Sequence, residues 1–88
     1  MSNHQFCRLY RREALSELPP DVREQFKRKN YGITYNKIAS KRYYFVELVG
    51  ARPDGANHIF EMKACCAYEA VALAANRYLE ARKRGEVR

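Results

Sequence analysis

The sequence predicts a single α+β domain in the order α-α-β-β-β-α. N-terminal helices come first, then a three-stranded antiparallel sheet, then an alanine-rich C-terminal helix packed across the sheet. Three observations lead there. Apolar residues recur with a helical period up to Lys29 and with a period near two from Gly32 onward. The run Arg42–Val49 (RYYFVELV) is dense in aromatic and β-branched residues, the composition of a strand. Ala67–Arg84 places Ala67, Ala70, Val71, Ala74, Tyr78 and Ala81 on one helical face. Eighty-eight residues suit one domain, residues 1–88, read as a helical segment over 5–29 and a βββα unit over 31–84.

The first helix is expected over Gln5–Leu18, where Phe6, Tyr10, Ala14 and Leu18 form one stripe and Arg8, Arg11 and Arg12 lie off it. Pro19-Pro20 ends it, because proline disfavours the helical conformation of the residue before it. Pro20 also suits the first turn of a second helix, Pro20–Lys29, in which Val22 and Phe26 pair at i, i+4. Lys27-Arg28-Lys29 then suits the negative end of its dipole. Asn30-Tyr31-Gly32 reads as a turn, and Ile33–Ile38 as the first strand. Arg42–Val49 and Asn57–Ala64 form a hairpin, joined through Arg52-Pro53-Asp54-Gly55, where proline presets φ and glycine accepts a positive one. The last helix ends at Arg82-Lys83-Arg84 followed by Gly85. Leu79 and Tyr68 fall outside its alanine stripe, so its back is expected to meet the N-terminal helices or a partner protein.

The charge sets the functional expectation. Seventeen Lys and Arg against ten Asp and Glu leave a net +7, which points toward a polyanion. A hydrophobic fraction of 47% excludes a disordered basic tail. No apolar run approaches the ~20 residues of a membrane span. The polar, Arg-rich start does not read as a signal peptide, so a cytoplasmic, reducing location is expected. Cys7, Cys65 and Cys66 are odd in number and a poor disulfide framework. A metal set can be drawn from His4, Cys7, His58 and Cys65-Cys66, but its spacing matches no common zinc pattern. The thiols are therefore expected to be buried and structural, with no metal and no cofactor. Ser40, His4, His58, Glu47, Asp54 and Glu61 form no nucleophile–base or paired-acid spacing, so no enzyme is expected.

Tyr31-Gly32-Ile33, Tyr44-Phe45-Val46-Glu47-Leu48, and Glu69-Ala70 with Ala74-Ala75 resemble the AP2-type DNA-binding domain and the N-terminal arm-binding domain of lambda-type integrases. The resemblance covers Tyr31–Lys83; Glu61–Cys66 stands where the family has Leu-Gly-x-Phe. A helix before three strands is also similar to double-stranded-RNA-binding domains, the second choice. The resemblance implies a sheet face laid in a DNA groove, with Lys and Arg on phosphates. The expected contacts are Lys37, Lys41 and Arg42 near the first turn, Arg52 in the hairpin loop, and His58 and Lys63 on the third strand, with Tyr35 and Tyr43 stacking or hydrogen-bonding. The function expected is a small nucleic-acid-binding accessory protein, DNA favoured, of the kind phages and mobile elements encode. The alternative is an inhibitor or adaptor docking on an acidic surface of a host protein through Phe45, Val49, Tyr68 and Leu79. If Tyr44, Val46 and Leu48 face the helix, Tyr43, Phe45, Glu47 and Val49 face outward, an apolar surface that also suits a homodimer.

Overall fold

The computed structural model describes the backbone of residues 3–27, 31–38 and 41–88, and the side chains of 5–26 and 42–88. Its elements are α1 (Asn3–Ser16), α2 (Pro20–Lys27), β1 (Tyr31–Ile38), β2 (Lys41–Leu48), β3 (His58–Lys63) and α3 (Ala67–Lys83). Among the described residues no helix is long and apolar enough to cross a membrane. Tyr31 and Gly32, expected in a turn, belong to β1, where they pair with Leu48 and Glu47.

The α1–α2 corner follows from its prolines. Leu18 and Glu17 close α1 with N–H donations to Leu15 and Ala14 at 3.1 and 3.3 Å, and Arg23 N–H donates to the Pro19 carbonyl at 2.9 Å to start α2. Arg23 secures the corner from the other side. Its Nε donates to the Leu15 carbonyl at 3.2 Å, and its Nη2 to those of Ser16 and Leu18, both at 3.1 Å. These acceptors lie at the C-terminal end of α1, where carbonyls lack helical partners and a cation is favoured.

Strand alternation places Tyr44, Val46 and Leu48 of β2 and Phe60 and Met62 of β3 in the core, with Tyr43, Phe45, Glu47, Ile59, Glu61 and Lys63 on the other face. The hairpin turn has the expected chemistry. Gly55 N–H donates to the Arg52 carbonyl at 2.9 Å, Gly55 takes φ +86°, and the Asp54 carboxylate accepts the Ala56 N–H at 2.9 Å. After α3, Gly85 takes φ +75°, and the N–H groups of Gly85 and Glu86 donate to Arg82 and Ala81, a glycine-terminated helix end. The tail then returns to the hairpin loop: Val87 is buried, Arg88 N–H donates to the Ala51 carbonyl at 2.8 Å, and Tyr78 Oη donates to the Arg88 carbonyl.

The expectation of a helix lying across three strands is corrected. Backbone pairing orders the strands β1-β2-β3, but α3 packs on β2 and β3, while β1 packs on its neighbour β2. Among the described side chains, the layer that carries the core is thus a two-stranded antiparallel unit, and the packed order is α-α-β-β-α. The back of α3 is covered by α1. That second contact explains why Ala72 and Ala75, off the expected stripe, are fully buried. It also gives Leu79 and Tyr10 their packing, and Asn76 Nδ2 donates to Tyr10 Oη at 3.0 Å across the helix pair.

Candidate functional site

The sites expected on the sheet do not converge. On β2, Arg42 shares the inward parity of Tyr44 and Val46, and its Nη1 donates to the Cys65 carbonyl at 3.1 Å. His58 likewise has the parity of Phe60 and stacks on that ring at 4.6 Å. Burial first, and the Arg52 cation second, hold the His58 imidazole below its ordinary value, so it is neutral at pH 7 and adds no positive charge. Arg52 turns its Nε to His58 Nδ1 at 3.5 Å and accepts Arg88 Nε on its carbonyl at 3.2 Å, tying the loop to the tail. Of the expected contacts, Tyr43 and Lys63 face outward as a cross-strand pair. Beside them stand Phe45 opposite Glu61 and Glu47 opposite Ile59. The outward face of the hairpin therefore carries two carboxylates and one lysine. By register Tyr35 lies opposite Tyr44 and Lys37 opposite Arg42; their side chains and those of Lys41 and Lys27-Arg28-Lys29 lie outside the described residues.

Two of the terminal cations are paired within the chain. Lys83 Nζ lies 3.8 Å from Glu80, and Arg84 Nε 3.1 Å from Glu86. The Arg84 hydrogen bond holds the Glu86 carboxyl below its ordinary range.

A different cluster does converge. Arg8, Arg11 and Arg12 lie at i, i+3 and i+4 on α1, one face of the helix. Where α1, α2 and the start of α3 meet, they line a surface groove of roughly 610 Å³ together with Leu15, Ser16, Arg23 and Tyr68. The guanidinium of Arg8 lies 5.1 Å from the Tyr68 ring centroid and that of Arg11 5.6 Å, both over the ring. Such contacts contribute about 0.5–1 kcal/mol at exposed sites and hold the planes in place. The lining contains four arginines and no carboxylate, and the ion pairs among the described residues leave Arg8, Arg11 and Arg12 out. Tyr68, expected as part of a protein-binding surface, is instead the floor under these arginines, and Leu79 packs within the chain. The i, i+3, i+4 spacing was visible in the sequence; Arg23 and Tyr68 join it only through packing.

The three cysteines also meet. Cys7 Sγ lies 3.4 Å from Cys65 Sγ, and Cys65 Sγ 3.8 Å from Cys66 Sγ. All three sulfurs fall within 4.8 Å of one another. Cys7 and Cys66 are buried as expected, whereas Cys65 is exposed. The hydrogen bond to Cys7, with burial, pushes the Cys65 thiol up to about 12. Burial opposes ionisation of Cys66, but the amide N–H groups of Glu69 and Tyr68 and the neighbouring thiols outweigh it and hold Cys66 below its ordinary value. Cys66 also occupies the N-cap of α3 without capping it through its side chain. Glu69 Oε1 instead accepts the Cys65 N–H at 3.1 Å.

No family model, curated protein or solved structure matches this chain.

Proposed function

We propose that this protein binds the phosphate backbone of nucleic acid, duplex DNA first, through Arg8, Arg11 and Arg12 in the groove that they line with Tyr68 and Arg23, Arg23 itself being held on the carbonyls that end α1. The observation that carries the reading is a concave surface lined by four arginines and no carboxylate. Arginine forks match phosphate oxygens bidentately, and the Tyr68 ring pre-orients two of the four. The reading departs from the AP2-type mode, in which the sheet face enters the groove of DNA. Glu47 and Glu61 on that face would repel phosphate. Titration of labelled duplex DNA by fluorescence anisotropy tests the proposal. A Kd of about 10⁻⁶ M or tighter at low salt, weakening steeply as salt rises, is expected. Parallel titrations with RNA duplex and single strands order the ligands. A flat titration at low salt, or binding unchanged in the Arg8→Ser, Arg11→Ser, Arg12→Ser variant, overturns it.

A second reading attaches to the outward sheet face, where Ile59 is 52% and Val49 57% exposed beside half-buried Tyr43 and Phe45. Such a surface suits a protein partner or a second copy of the chain. A partner captured from lysate after nuclease treatment and lost in Phe45→Ser, or a dimer seen by light scattering, supports it. A monomer that captures nothing after nuclease removes it.

A further inference from the structure

We propose that Cys7, Cys65 and Cys66 form a three-thiolate site for one thiophilic closed-shell cation, Zn2+ or Cu(I). Chain separation hides the site in the sequence, because Cys7 and Cys65 stand 58 positions apart. Packing of α1 on α3 brings their sulfurs together. In tetrahedral zinc sites with Zn–S near 2.3 Å, sulfur pairs stand about 3.8 Å apart. Here Cys7–Cys65 and Cys65–Cys66 stand at 3.4 and 3.8 Å, and Cys7–Cys66 lies within 4.8 Å. A cation at the centre of this triangle is reached by small movements of the sulfurs. Soft thiolate sets select Zn2+ and Cu(I) over harder cations.

The surroundings suit an anionic metal–thiolate cluster. The cluster sits at the N-terminus of the 17-residue helix α3, whose dipole favours negative charge. Arg42 stands beside it, its Nη1 on the Cys65 carbonyl at 3.1 Å. Glu69 fixes the Cys65 backbone through the 3.1 Å hydrogen bond to its N–H, the kind of outer contact that orients a ligand. Cys7 and Cys66 are buried while Cys65 is exposed, so the ion has an entry path and the fourth position faces solvent. Binding forms three metal–sulfur bonds and releases each thiol proton to solvent. No electron transfer is involved.

The test is titration of the fully reduced, metal-free chain with Co2+, followed by Zn2+, and separately with Cu(I) against a chromophoric chelator under anaerobic conditions. Thiolate-to-cobalt charge-transfer bands, tetrahedral d–d bands and one ion per monomer are expected, with displacement by Zn2+. A Cu(I) complex without a cobalt complex supports the same three-sulfur site with the softer ion. Cys65→Ser, at the exposed position, should weaken binding by more than about a hundredfold, since outer-shell contacts alone are worth about 10–100-fold. Because Cys7→Ser lies in the packed helix pair, thiol alkylation of the unaltered chain provides the second measurement. Bound metal should protect all three cysteines together. Absence of thiolate bands with both metals, binding retained in Cys65→Ser, protection of fewer than three thiols, or one ion shared by two chains would overturn the site.

Discussion

The outward face of the β2–β3 hairpin and the groove between α1, α2 and α3 differ in what their charges have as neighbours. On the hairpin, Lys63 stands among Glu47, Glu61 and apolar Phe45 and Ile59, while His58 stacks on Phe60 and the exposed Arg42 and Arg52 bond to the Cys65 carbonyl and to His58. In the groove four arginines converge with no carboxylate among them. Both regions draw on the same +7 chain. Net charge sets the class of partner, and only convergence sets the place, because a potential strong enough to hold a polyanion requires cations within a Debye length and no intervening opposite charge.

Four measurements test this contrast. The largest effect concerns the two sides of the sheet. Leu48 is fully buried, and Leu48→Ala should cost about 2–5 kcal/mol in urea unfolding. Ile59→Ala on the outward side should stay within about 0.5 kcal/mol. Equal costs would mean that the outward face is covered in solution and would end its description as a free surface. The next effect belongs to the groove. The combined Arg8→Ser, Arg11→Ser, Arg12→Ser variant should lower the slope of log Kd against log salt by about 3, one for each lost phosphate contact. A slope change below 1 would move the binding surface elsewhere.

Smaller effects separate Tyr68 from the sheet carboxylates. Tyr68→Ala removes the ring under Arg8 and Arg11 and should weaken DNA binding by about fivefold, the equivalent of about 1 kcal/mol. Tyr68→Phe should restore it, because the ring face and not the hydroxyl carries the contact. Failure of phenylalanine to rescue would assign the role to the hydroxyl. Last, Glu47→Gln with Glu61→Gln should leave affinity within about twofold if phosphates sit in the groove, since exposed charges beyond a Debye length are largely screened. Marked tightening would return the sheet face to the interface.

The parts of this fold that were legible in the sequence are those whose cause is local. The Arg52–Gly55 turn follows from proline and glycine, the Gly85 helix end from a residue free to adopt positive φ, and the β2 faces from strict alternation. At Tyr31-Gly32 the local preference is for a turn, and pairing to Leu48 and Glu47 overrides it and extends β1. On α3, Ala70, Val71, Ala74, Tyr78 and Ala81 of the expected stripe are buried, whereas Ala67 is exposed. Periodicity did not identify Ala72 and Ala75 as buried, since their burial comes from α1. The expected site residues have only type and strand position in common. Three of them, Arg42, Arg52 and His58, are engaged with the backbone and rings of the chain itself.

The two clusters with chemical content arise where distant segments meet. Arg8, Arg11 and Arg12 share a helix face by spacing alone, but Arg23 enters from α2 and Tyr68 from α3. Cys65 and Cys66 are neighbours in the chain, but Cys7 reaches them only when α1 lies on α3. The sequence alone determined the α+β class, the hairpin turn, the Gly85 end of α3 and the excess of positive charge, because each depends on residues within a few positions of one another; α1 instead runs over Asn3–Ser16, two residues earlier at each end than its apolar stripe implies. The tertiary structure decided that α3 rests on two strands, that four arginines and a tyrosine share one groove, and that three sulfurs share one corner. Those outcomes depend on which helix face packs against which, and that is set by burying apolar surface throughout the domain.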